Sequence, residues 1–194
     1  MAIPSVAHNS YDAFKAAVNG NGYDIDGLFG YQCWDGVDLL YQQSDVGQYL
    51  YTARNIDPSL DGYAKTCWTN ATARNLNGSG HFSIITNKGQ IKKGDILVFN
   101  TMSGWYGSAG HICFADSDYN GDDIIYGLGQ NQGPNSNPNT GTPFNINKQN
   151  LAAFLGGFRY DAWQQPEPPT PTTKTKKHFP WPVAWANWQG FNNM

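Results

Sequence analysis

The 194 residues suit one domain plus a tail, and 40% hydrophobic with 14% aromatic residues is a globular composition. Charged residues are only 14% and the formal charge is -3, which excludes a global field favouring nucleic acid. No segment reaches the roughly 18 apolar residues of a membrane span, and an odd count of 3 cysteines argues against a pure disulfide framework.

In chain order, residues 10–20 read as a short helix opened by Ser10, with Tyr11, Phe14, Ala17 and Val18 on one face. A loop runs from Tyr23 to Gln32, and Cys33 then opens a second helix with Val37, Leu40 and Tyr41 as its apolar stripe. A third helix is expected over 60–76, around Ala64, Trp68 and Ala71. The pattern then changes to strands at 81–85, 93–99, 110–116 and 124–131, with a closing strand near Phe158–Tyr160. Asn120-Gly121 marks a hairpin turn, and the polar stretch from Gln132 to Pro143 reads as a surface loop bordering a cleft. Helices first and a meander of strands after them is an α+β pattern. The domain is assigned to 1–163, a Pro/Thr/Lys-rich linker to 164–177 and a Trp-rich tail to 178–194. Trp181, Trp185 and Trp188 on this tether suggest a peptide that docks a protein partner; a wall-binding role or a remnant of a lost domain are the alternatives.

A nucleophilic thiol needs its proton drawn off, and a helix N-terminus beside a histidine is one arrangement that favours thiolate. Cys33 stands at such an N-terminus and His111 at the start of a strand. A buried structural cysteine is the commoner role of any single Cys. Asp24, Asp26 and Asp35 form a second candidate site. With the backbone carbonyls of Leu28 and Gly30, oxygens fall at positions 1, 3, 5, 7 and 12, as in a calcium-binding EF-hand loop. Phe29 stands where that loop usually has Gly, and Asp35 stands for a bidentate Glu. The bland alternative is a polar turn with Asp35 capping the helix.

The segment from Asp24 through Gln32-Cys33-Trp34-Asp35, followed by Gly94-Asp95-Ile96, Gly110-His111-Ile112 and Gly129-Gln130-Asn131, resembles the CHAP family in order and spacing. That resemblance spans roughly residues 10–160. It implies a papain-like fold, related to the NlpC/P60 type, with N-terminal helices packed on an antiparallel sheet. It also implies a cysteine- and histidine-dependent amidase or peptidase that cuts peptidoglycan. Carried over, Cys33 is the nucleophile, His111 the general base, and Asn131 the side chain that holds the imidazole. Gln32 is a weaker candidate for the oxyanion hole, with the Cys33 backbone N–H. The family's acidic position falls on Gly129, so the usual orienting carboxylate is absent. Phage members of the family bind Ca2+ at positions matching Asp24, Asp26, Leu28, Gly30 and Asp35.

The expected substrate is the peptidoglycan of a Gram-positive host, with no nucleic acid. The start of the sequence shows no secretory signal, which fits a protein made in the host cytoplasm and released through a holin, or carried in the virion. An inactive, calcium-stabilised tail or wall-binding module is the competing expectation, favoured by Gly129. A secreted bacterial amidase is a third. Amidase and cross-bridge endopeptidase chemistry are alike at this level. Of the remaining features, Asp116-Ser117-Asp118 reads as a hairpin turn. His8, His81 and His178 read as surface or capping residues, and Cys67 and Cys113 as core, with a disulfide between them left open. Trp105 and Tyr106 divide equally between groove and core.

Overall fold

A computed structural model describes residues 5–42, 62–73 and 81–164. The tail at 178–194, the linker beyond Gln164 and the outer parts of the 60–76 helix lie outside the described residues. Among the described residues, three helices precede six strands: α1 (Tyr11–Val18), α2 (Cys33–Gln42), α3 (Thr66–Ala73), β1 (Phe82–Ile85), β2 (Ile96–Phe99), β3 (His111–Ala115), β4 (Ile124–Gly129), β5 (Asn145–Asn150) and β6 (Phe154–Tyr160). The strands form one sheet in the order β1-β6-β2-β3-β4-β5, antiparallel throughout. This is the α+β arrangement expected from the sequence.

Local chemistry accounts for the element ends. Ser10 caps α1, its hydroxyl accepting from Ala13 N–H at 3.2 Å, and Gly20 leaves the helix at φ +85°. The buried face of α1 is Tyr11, Phe14 and Val18, as periodicity predicts. In α2, Val37, Leu39 and Leu40 are fully buried, whereas the side chain of Tyr41 lies outside the described set. These residues, with Ala64 and Cys67, pack on one face of the sheet against Ile96, Val98, Ile112, Phe114, Leu128 and Phe158. Trp163 closes the same layer: its indole N–H donates to His8 O at 2.9 Å and its ring meets Tyr11, Phe14, Phe114 and Tyr160. The opposite sheet face carries a smaller cluster of Leu97, Phe99, Tyr106, Cys113, Ala115, Ile125 and Leu151. Cys67 and Cys113 therefore sit on opposite faces and are not joined by a disulfide.

Strand β5 is the element that carries no strand signal in the sequence. Its residues Asn145-Ile-Asn-Lys-Gln-Asn150 carry no apolar alternation, because it is an outer strand whose side chains are mostly half-exposed. Pairing along six residues of β4 holds it, from Ile124↔Asn150 to Gly129↔Asn145. The turn expected at Asn120-Gly121 is present between β3 and β4, with Gly121 alone taking positive φ, at +103°.

Gly94-Asp95-Ile96 is a structural device. Gly94 takes φ +88° and its N–H donates to Ala115 O at 2.8 Å. The fully buried Asp95 carboxylate accepts from Lys92 N–H at 2.6 Å, closing the turn that feeds β2. Arg159 on β6 grips the same carboxylate through both Nε and Nη2, each at 2.8 Å. No helix among the described residues is long and apolar enough to cross a membrane.

Candidate active site

The fold brings Cys33 and His111 to one end of β3. Cys33 is the first residue of α2 and His111 the first of β3. The Cys33 sulfur accepts the backbone N–H of Ile112, the residue next to His111. Gly110, just before His111, lets the start of β3 lie close against Phe99 and Lys65. It sits at φ +69°, and a Cβ there would come within 2.3 Å of Phe99 O and 2.7 Å of Lys65 Cβ.

Burial sets the resting charges. Desolvation pushes the Cys33 thiol up to about 11; the N–H groups of Ile112, Trp34 and Cys33 pull the other way, and the Asp35 charge adds to the rise. The thiolate expected from the helix N-terminus alone is therefore outweighed. Desolvation likewise lowers His111 to about 4, partly offset by its hydrogen bond to Gln132. Both shifts favour the uncharged forms, thiol and neutral imidazole.

This has a stability consequence. An unfolded histidine takes up its proton near pH 6.5, and folded His111 only near 4. Above 6.5 both states are neutral and nothing is lost. As pH falls from 6.5 to 4 the unfolded chain binds the extra proton, so stability drops by about 3 kcal/mol over that window. Urea unfolding of wild type and His111→Gln at pH 7 and pH 4.5 checks this. The variant should lose clearly less stability on acidification, and equal losses would contradict it.

The imidazole is held by Gln132, not by Asn131. His111 Nε2 lies 3.0 Å from Gln132 Oε1. The Tyr106 ring stacks on the imidazole at 5.6 Å between centroids and 6° between planes, and Phe99 flanks it at 6.3 Å. Tyr106 is thus core and part of the site at once, while Trp105 beside it is 42% exposed. Strand alternation would have put residue 131 on the His111 face with residue 129. Asn131 instead takes φ +49°, a left-handed conformation that Asn tolerates, and this breaks the alternation and returns residue 132 to that face. The Asn131 side chain turns away: Nδ2 donates to Gln32 Oε1 at 2.6 Å and Oδ1 accepts from Asn137 N–H at 2.7 Å.

Gln32 is held at both ends of its amide. Besides accepting from Asn131, it donates through Nε2 to Phe29 O at 2.5 Å. One amide hydrogen is thereby committed to the loop. Gln130, between Gly129 and Asn131 of the same motif, is fully buried and ties three segments together. It accepts from Tyr23 N–H at 2.7 Å and donates to Tyr23 O at 2.9 Å and Gln32 O at 3.0 Å.

Before Cys33, one carboxylate oxygen from each of Asp24, Asp26 and Asp35 lies within 4.8 Å of the others. Asp35 Oδ1 accepts from Ile25 and Asp26 N–H at 2.8 and 3.3 Å, and Oδ2 from Gln32 N–H at 2.9 Å. Burial still pushes this carboxyl up to about 7, with Asp26 adding to the rise. Asp24 Oδ1 is buried without a hydrogen-bond partner. Phe29, at the place where an EF-hand has glycine, is 62% exposed and takes φ +63°. The backbone thus makes the sharp turn of such a loop despite its side chain. A hard divalent cation fits these oxygens, the orphaned Asp24 oxygen above all.

No protein-family profile matches the chain. It is 35% identical over 126 residues to the D-alanyl-L-alanine endopeptidase of Streptococcus phage B30. That alignment takes in 64% of this chain and 25% of the phage protein, so the chain spans about a quarter of its relative's length. Among solved structures, that of wild-type endolysin LysIME-EF1 superposes with a TM-score of 0.53 at 23% identity, covering 80% of this chain and 65% of that one. This second likeness is one of fold.

Proposed function

We propose that the chain is a CHAP-type cysteine hydrolase that cuts an amide bond in the peptide part of Gram-positive peptidoglycan. The observation that carries this reading is Cys33 at a helix N-terminus, its sulfur on the backbone N–H of Ile112, directly beside the buried, ring-stacked His111 at the start of β3. The likeness to a phage endopeptidase over 126 residues supports it. In this reading the Cys33 sulfur attacks the scissile carbonyl while its proton passes to His111. The amine leaves with that proton, and the acyl group remains as a thioester on Cys33. Water, deprotonated by His111, then releases the acid and restores the thiol. Burial disfavours both charged forms, so in this reading proton transfer accompanies the attack. The chain would act on the wall from a phage, as a released lysin or a virion component, cutting at the sugar–peptide junction or in the cross-bridge. Turbidity loss of purified walls, with mass spectrometry of the new amino termini, tests the reading and names the bond. No cleavage on a broad panel of walls by a folded protein would favour an inactive structural module.

Asp24, Asp26 and Asp35, with the carbonyls of Leu28 and Gly30, would hold Ca2+. When bound, the ion would offset most of the charge of three clustered carboxylates and stiffen the loop that leads into Cys33. EDTA should lower both Tm and wall-lytic rate, and added calcium should restore both. In Asp24→Ala the response of Tm to calcium should be largely lost. A wild-type Tm unchanged by EDTA and calcium would contradict the metal site.

A further inference from the structure

Gln132 lies in a chain of buried amides that begins and ends on the backbone, and the hydrogen count of that chain leaves one solution. Gln132 Nε2 donates both its hydrogens to carbonyls, Gly127 O at 2.7 Å and Asn145 O at 2.6 Å. Its Oε1 is therefore the end that faces His111 Nε2 and Gln149 Nε2, at 3.0 and 2.7 Å. Gln149 is fixed in turn: its Oε1 accepts from the Tyr106 hydroxyl at 3.1 Å, and that hydroxyl oxygen accepts from Asn150 N–H at 2.8 Å. Gln132, Gln149, Tyr106 and His111 are all less than a tenth exposed, so water does not offer alternatives. A carbonyl oxygen has no hydrogen to give. The proton of the Gln132–His111 bond must sit on the imidazole.

We propose that Gln132 is the positioning residue of this site, holding the His111 proton on Nε2 so that Nδ1 carries the basic lone pair. The inference rests on the hydrolase reading above and deepens it. Two further features favour an amide at this place. A Cβ at Gly129 would stand 3.1 Å from Gln132 Oε1 and 2.9 Å from Cys113 Cβ, so the missing side chain at 129 is the room that the Gln132 amide occupies. A carboxylate at 132 would turn an oxygen without hydrogens onto Gly127 O and Asn145 O, which an amide NH2 satisfies. Asn131 serves the arrangement through its left-handed backbone rather than through its side chain.

Two-bond 1H–15N correlation of 15N-histidine-labelled protein at pH 7 reads the tautomer directly, with His111 assigned by loss of its signals in His111→Gln. Wild type should show a pure Nε2–H imidazole; an Nδ1–H form would overturn the proposal whether or not walls are cleaved. Gln132→Met should give a mixture of tautomers and lower kcat about 100-fold with KM within about twofold. If that variant does not fold, Gln149→Met, which keeps the Gln132 bonds to both carbonyls, should retain the Nε2–H form with a smaller loss. A Gln132→Met protein with wild-type tautomer and kcat would overturn the role. Failure to cleave any wall, with the Nε2–H tautomer present, would count against the hydrolase reading and leave the assignment of Gln132 standing.

Discussion

Cys33→Ser will stay folded and lose wall cleavage by at least about 10^4-fold. The serine oxygen can still accept the Ile112 N–H that the sulfur accepts, and Cys33 is only partly covered by its neighbours, so Tm should stay within a few degrees of wild type. The chemistry has no such tolerance. A serine hydroxyl holds its proton far more tightly than a thiol, and His111, lowered to about 4 by burial, is a weak base to remove it. The imidazole partner is a neutral amide, which adds no charge to steady an imidazolium. An attacking group of low acidity and a base of low basicity leave the variant without a nucleophile. Turbidity loss and fragment release, measured side by side with wild type, check this. Lysis by a well-folded serine variant at more than a hundredth of the wild-type rate would remove Cys33 from the reaction.

Arg159→Met is the variant expected to cost most in stability without touching the site. Asp95 is fully buried, and the guanidinium on β6 supplies two of its hydrogen bonds. Methionine fills a similar volume but leaves the carboxylate with the Lys92 N–H as its remaining close donor among the described contacts. Removing one partner of such a pair costs about 3–5 kcal/mol, which is roughly 10 °C in Tm for a domain of this size. Asp95→Asn placed on top of Arg159→Met should recover part of the loss, because an amide is far cheaper to bury unpaired than a charge. Thermal melts of the three proteins decide it. A single variant within 2 °C of wild type would show that the pair contributes nothing net.

The site was legible in the sequence where it depends on local pattern. Cys33 at a helix start, His111 after a glycine and the three aspartates at loop spacing are short-range signals, and the structure gathers each group where its elements put it. Gly94-Asp95-Ile96 was visible as a motif, but only the contact with Arg159, 64 residues away, explains it as structural. The partner of His111 was not legible. The family resemblance points to Asn131, and a single left-handed residue there turns its side chain away and brings Gln132 to His111 instead. The amide relay behind the imidazole is built from contacts 17 and 43 residues apart in sequence, Gln149 to Gln132 and Tyr106 to Gln149. β5 escaped because an outer strand needs no hydrophobic period, its register being set by the ladder with β4.

That outer strand has a consequence for the protein in solution. Within the described residues the sheet ends at β1 on one side and β5 on the other. An open strand edge invites another chain to add to it and so to start a growing aggregate. β1 is only four residues long, and β5 offers Asn145, Asn147, Lys148 and Asn150 with only one aliphatic residue, Ile146. A second copy docking there would have to bury a lysine and several amides for little apolar return. The polarity that hides β5 from a hydrophobicity reading is thus also what makes its edge a poor template for another strand.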